Sequence, residues 1–120
     1  MARICLVSVG SVTPGTIAAL GRAIEEIITC QTVLVDNGLD PAFAFDPQRH
    51  QYWSTPLLES LEEMRPAETD RILGITEVDL FIPILTFVFG EALLDRPPAL
   101  VSLHRLRPSF YGLPPVPTRS

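Results

Sequence analysis

The residues of this chain best suited to chemistry are two histidines, two cysteines and two carboxylates set in apolar surroundings. His50 and His104 are its only histidines, 54 residues apart. Neither stands in the H-x-x-x-H spacing that would bring two rings to one helical face, so they are not expected to build a zinc site. His104 reads as a lone strand histidine. Asp79 and Glu91 could act together as general acid and base. The alternation around them argues otherwise: Asp79 is expected to cap a turn, and Glu91 to lie on a solvated strand face or opposite an Arg. Cys5 and Cys30 fall in a strand and at a helix end, where buried, reduced thiols are expected. All nine basic residues are Arg, which removes Schiff-base chemistry and a P-loop lysine. Gly10 and Gly15 flank a strand-to-helix turn without the G-x-G-x-x-G spacing, so a tight turn explains them better than a phosphate does. These residues assign no catalytic group and no metal ligand.

Composition narrows the partners. The net charge of −5 and the lack of any basic stretch argue against nucleic acid. No apolar run reaches the roughly 18 residues of a membrane span. The opening MARICLVSVG is rich in β-branched residues and leads at once into a helix signal, so it reads as a first strand, not a signal peptide. A cytoplasmic protein is expected.

The elements that must hold any site follow from periodicity. Residues 3–9 form a largely apolar strand of the kind buried in a partly parallel sheet. Thr13 and Pro14 open a helix as N-cap and first helical residue, with Ile17, Leu20, Ile24, Ile27 and Ile28 on one face. Residues 32–35 form a second strand, ending at the turn Asp36-Asn37-Gly38 and implying a parallel pair. After an irregular stretch, Thr55 and Pro56 open a second helix that ends before Pro66, with Leu57, Leu58, Leu61 and Met64 inward. Strands are expected at 71–75, 86–92 and 100–106, with a turn over 76–80. The last two are joined through Asp95-Arg96-Pro97-Pro98, which suits an antiparallel hairpin. Proline clusters at 97–98 and 114–117 mark loops. The fold class is α/β in a single domain over residues 1–120.

Three blocks of this sequence, in order, are similar to the archaemetzincins, a family of zinc metallopeptidases. The first is Arg49-His50-Gln51-Tyr52 with Pro56-Leu57-Leu58, and the second is Leu73 to Phe81, LGITEVDLF. The third joins Phe87-Val88-Phe89-Gly90-Glu91-Ala92 to Val101-Ser102-Leu103 and Arg105-Leu106-Arg107. The resemblance implies the metzincin upper subdomain: a twisted mixed β-sheet with an antiparallel edge strand and two helices. It further implies that Thr86, Phe87, Val88, Phe89, Gly90, Glu91 and Ala92 line a cleft and pair with an extended peptide or protein substrate. Read from the residues alone, the same run is a core strand with Phe87 and Phe89 on one side.

The family's HExxHxxGxxH helix, with its zinc ligands and general base, does not occur in these 120 residues. Zinc is thus implied only for a full-length member. This chain is expected to be an inactive N-terminal part or, alternatively, a non-enzymatic module that binds itself or a partner. Without the covering helix, Ile72, Val101 and Leu103 would lie open and drive self-association into a homo-oligomer. Metal analysis after dialysis is expected to find no zinc held one-to-one, because Cys5, Cys30, His50 and His104 are scattered over different elements. One tightly held zinc per chain would overturn this expectation.

Overall fold

A computed structural model describes residues 2–35, 38–93 and 95–106. Its main sheet has five strands in the order β2-β1-β5-β8-β7. These are β1 (Ala2–Val9), β2 (Cys30–Leu34), β5 (Arg71–Thr76), β7 (Gly90–Ala92) and β8 (Pro98–Ser102). β1 pairs parallel with β2 (Cys5 opposite Val33) and with β5 (Cys5 opposite Ile72). β8 continues the parallel set beside β5, and β7 returns antiparallel along β8. A second sheet joins β3 (Phe45–Asp46), β4 (Gln51–Trp53) and β6 (Leu80–Phe81) in the order β3-β4-β6. The mixed sheet, the antiparallel edge and the two helices are as the sequence led us to expect.

β1 is apolar at almost every position because it is covered on both faces. Alternate residues Cys5, Val7 and Val9 face helix α2 (Ser54–Met64), whose Leu57, Leu58 and Leu61 are fully buried with Ile72, Leu80 and Leu100. Ile4 and Leu6 face the other way, toward Ile17, Leu20 and Ile24 of helix α1 (Pro14–Ile28). Gly74 in β5 has no side chain for a packing reason: a Cβ there would lie 2.5 Å from Leu61 Cδ1 and 3.0 Å from Leu100 Cδ1. Cys5 and Cys30 are free, buried thiols on opposite faces of the sheet. Burial pushes the Cys5 thiol up and makes it a poor nucleophile.

Several expectations need correction. The second strand covers Cys30–Leu34 instead of 32–35, because Thr29 in the left-handed region turns the chain straight from α1 into the sheet. Ile27 and Ile28, expected on the apolar face of α1, are instead exposed (79% and 56%). The strand placed at 100–106 is β8 at Pro98–Ser102. A 3-10 turn follows over His104–Leu106, where the His104 N–H donates to Ser102 Oγ at 3.1 Å. His104 is therefore not a strand residue; its Nδ1 lies 3.1 Å from the Glu77 carbonyl oxygen. Ile72 is fully buried beneath α2, whereas Val101 and Leu103 are half-buried on the α1 side. Asp36, Asn37 and the prolines at 114–117 lie outside the described residues.

One carboxylate helps to tie the two sheets together. Asp79 just precedes β6 and receives two parallel bonds from Arg105, at 2.8 and 2.9 Å, plus one from Gln51 Nε2 at 3.0 Å. It is thus an ion-pair hub and not a turn cap; the pair's side chains are only 14% and 20% exposed. Burial alone would raise the Asp79 pKa. The Arg105 and Gln51 hydrogen bonds, with the positive charge of Arg105 and His104, outweigh burial and hold it below the usual carboxylate range. A folded pKa below the unfolded value of about 3.9 means the pair stabilises the fold above that pH. The contribution is lost as pH falls through the folded pKa. Asp79→Asn should cost about 2 kcal/mol in urea unfolding at neutral pH, the scale of hydrogen bonds to a charged group. The difference from the parent chain should close progressively below about pH 4. An equal cost at neutral and acid pH would show that the carboxylate's charge is not what matters.

Candidate peptide-binding edge

β7 is the outer strand of the main sheet, and its register decides which backbone groups it presents. The Phe89 carbonyl accepts from the Ser102 N–H at 2.7 Å, and Gly90, Glu91 and Ala92 stand opposite Val101, Leu100 and Ala99. Bonded and non-bonded pairs alternate in an antiparallel ladder. Glu91 is therefore turned to β8, while Gly90 and Ala92 point their N–H and C=O groups away from the sheet. Gly90 is a glycine because a Cβ would run into the Leu100 carbonyl oxygen. The open edge is short, and the expected strand over 86–92 is realised only at Gly90–Ala92.

The other four residues are taken up elsewhere. The Val88 N–H donates to Leu80 at 2.9 Å, so β6 already occupies the outer side at that point. The Thr86 carbonyl accepts from Gln51 Nε2 at 2.8 Å. Phe87 lies beneath the Arg105 guanidinium, 4.0 Å from its carbon to the ring centre, and meets Phe89 edge-on at 5.2 Å. None of the seven residues is fully buried, although the half-buried Val88 packs against the α2-side core.

The loop leading to the edge is held from behind. Arg49 donates to the carbonyls of Leu85 and Pro83 at 3.1 and 3.2 Å while its guanidinium sits 4.2 Å from the Phe81 ring centre. Gln51, itself buried, bridges Asp79 and Thr86. Arg49, Gln51 and Arg105 thus form a brace that sequence reading assigned to none of them. Arg49 and Gln51 do stand in the first of the three recognised blocks, which was the available signal. Their carbonyl partners lie 34 to 36 residues away, beyond any local pattern.

Glu91 is half-buried, and among the described residues its hydrogen-bond partners are hydroxyls and not an Arg. Its carboxylate accepts from Ser54 Oγ and, at 3.0 and 3.1 Å, from Thr55 Oγ1. It thereby places negative charge at the start of α2, where the helix dipole favours it. Asp79 and Glu91 serve separate networks and form no acid–base pair. His50 packs edge-on against Phe45 at 6.5 Å, whereas His104 contacts the Glu77 carbonyl. Among the described residues no group of three or more His, Cys, Asp or Glu could hold a metal ion. The potential zinc donors do not fit such a role: Cys5 and Cys30 sit in opposite core layers, and the histidines serve separate contacts.

No protein-family model matches the chain. It is 42% identical over 113 residues to the archaemetzincin of Methanocaldococcus jannaschii, a match covering 94% of this chain and 60% of that relative. The crystal structure of a zinc-dependent peptidase from Methanocorpusculum labreanum superposes with a TM-score of 0.79 at 29% identity, over 94% of this chain and 70% of the other. The archaemetzincin of Archaeoglobus fulgidus, solved as a malonate complex, gives 0.73 at 28% identity, over 87% and 62%. The chain thus spans about 60% of the length of the curated relative it matches over nearly its whole extent. In sequence and in fold alike, the chain is similar to the archaemetzincins over nearly its whole extent.

Proposed function

We propose that this chain is the substrate-presenting part of an archaemetzincin-type zinc metallopeptidase. An extended peptide or protein segment adds as a strand along Gly90–Ala92. The outward backbone groups of that edge, in a fold shared with a zinc-dependent peptidase, support this reading most directly. Thr86, Phe87, Val88 and Phe89 contribute as the braced approach to the edge instead of as pairing residues. Hydrolysis belongs to the full-length protein: the described residues hold no zinc-ligand set, and no catalytic step is assigned to them. Neither nucleic acid nor membrane is a partner in this reading, with a net charge of −5 and no described helix long and apolar enough to cross a bilayer. The working location is the cytoplasm, where two free cysteines stay reduced.

A peptide that adds at the edge needs the outward N–H of Ala92. Ala92→Pro deletes it, and proline is tolerated on a strand edge where the N–H faces solvent. Panning the immobilised chain against displayed random peptides should enrich extended sequences. The A92P chain should retain about a fifth of that binding, since a lost backbone bond is worth roughly 1 kcal/mol. Equal capture by both chains would sink the edge as the binding surface.

The second reading, a self-associating module, draws on a different surface. On the α1 side Leu73, Val101 and Leu103 are only half-buried, and Ile27 and Ile28 of the helix are exposed. A groove of about 370 Å3 there includes Ile4, Ile24, Ile28, Leu73 and Ala99. Covering it at about 25 cal/mol per Å2 favours a homo-oligomer. Sedimentation equilibrium should therefore return a mass above 13.2 kDa at micromolar concentration; a monomer of that mass would overturn the expectation.

A further inference from the structure

The small sheet carries a second surface that the peptidase reading does not use. Phe43, Phe45 and Trp53 are 59%, 42% and 41% exposed, an unusual outlay of aromatic surface for so short a segment. With Pro47, Pro56 and the edge of Phe81 they wall a groove of about 490 Å3. The walls are well ordered by their own contacts. Phe45 packs on Tyr52 at 5.0 Å, and Trp53 is held by its pairing with Phe81 just before α2 begins. Asp46 supplies a carboxylate on the rim; its Oδ1 accepts from the Gln48 and Arg49 N–H groups, which leaves Oδ2 for another donor.

A shallow groove of aromatic and proline rings is suited to a proline-rich strand. The pyrrolidine ring presets φ, so such a strand loses little entropy when it docks flat against aromatic faces. This chain carries one: residues 113–117 read Leu-Pro-Pro-Val-Pro, followed shortly by Arg119, opposite in sign to Asp46. The point of departure also fits. Arg105 is anchored on Asp79, whose carbonyl accepts from the Tyr52 N–H at 2.8 Å, and the groove residues Trp53 and Phe81 are the next pair along that ladder. Phe81 is two residues beyond Asp79, about 7 Å of strand. From Leu106 to Leu113 the chain can reach roughly 23 Å. We propose that the Phe43–Phe45–Trp53 groove is a docking site for this chain's own proline-rich stretch at residues 113–117.

Trp53 is the only tryptophan, so its fluorescence reports on the groove in the intact chain. With the stretch docked, Trp53 of the parent chain should be shielded from acrylamide. In the triple variant Pro114→Ser, Pro115→Ser, Pro117→Ser, the quenching constant should rise by about twofold as the indole face is uncovered. A synthetic peptide of residues 113–119 should then restore the shielding in that variant, which separates docking from any loss of fold. Shielding that survives dilution means the stretch comes from the same copy; shielding lost on dilution means it comes from a second copy, and both support the site. Unchanged quenching in the variant overturns the proposal, as does a rise that the peptide fails to reverse. So does shielding that only a foreign polyproline peptide produces, since the groove would then serve another partner.

Discussion

The two-sided burial of β1 is the constraint from which the rest of this structure follows. A strand paired on both edges by parallel neighbours cannot leave either face to water, because its connections must pass over those faces. Cys5, Val7 and Val9 therefore demand a cover on one side, and Ile4 and Leu6 demand one on the other. α2 and α1 are those covers. Their unequal fit explains much of the surface: α2 seals its layer so completely that Leu57, Leu58 and Leu61 are inaccessible, whereas α1 leaves the β5–β8 side half open.

The end of the sheet is where packing gives way to polar order. The Thr76 hydroxyl donates to the Val9 carbonyl at 2.6 Å in the buried interior, and Ser102 Oγ donates to Val78 at 2.6 Å. These bonds satisfy backbone groups that the diverging strands would otherwise strand without partners. Beyond them, the charged Asp79–Arg105 pair connects the second sheet to the first. Its partly buried position makes the pair demanding, since either partner left alone would be an uncompensated charge. Gln51 and Arg49 extend the same network to the carbonyls of the 83–86 loop. The approach to the Gly90–Ala92 edge is thus held by side-chain bonds to its carbonyls, although the loop exposes Ile84 and Leu85.

Both surfaces proposed for binding rely on extended polypeptide, but by different physics. At the β7 edge the ligand would be recognised through main-chain hydrogen bonds, which are indifferent to side-chain identity. At the aromatic groove recognition would come from ring faces and a preset φ, which selects proline. Neither surface depends on the other's residues.

Much of this was legible in the order of residues alone. The apolar run of β1, the spacing of Leu57, Leu58, Leu61 and Met64 and the proline-marked hairpin each report a local periodicity, and local periodicity is set by which face a residue turns to the core. The three blocks shared with archaemetzincins likewise survive in linear order. What the tertiary structure alone decided are matters of partnership across distance. Asp79 reads locally as a turn residue, yet an Arg 26 positions away makes it an ion-pair hub. Glu91 reads as a solvated strand residue, yet it serves the start of a helix 36 positions earlier. The run at 86–92 reads as one strand, yet Leu80 claims Val88 and Gln51 claims Thr86, leaving only Gly90–Ala92 to the edge. A backbone group has only so many hydrogen bonds to make, and which neighbour receives them is settled by three-dimensional proximity, not by the residues on either side.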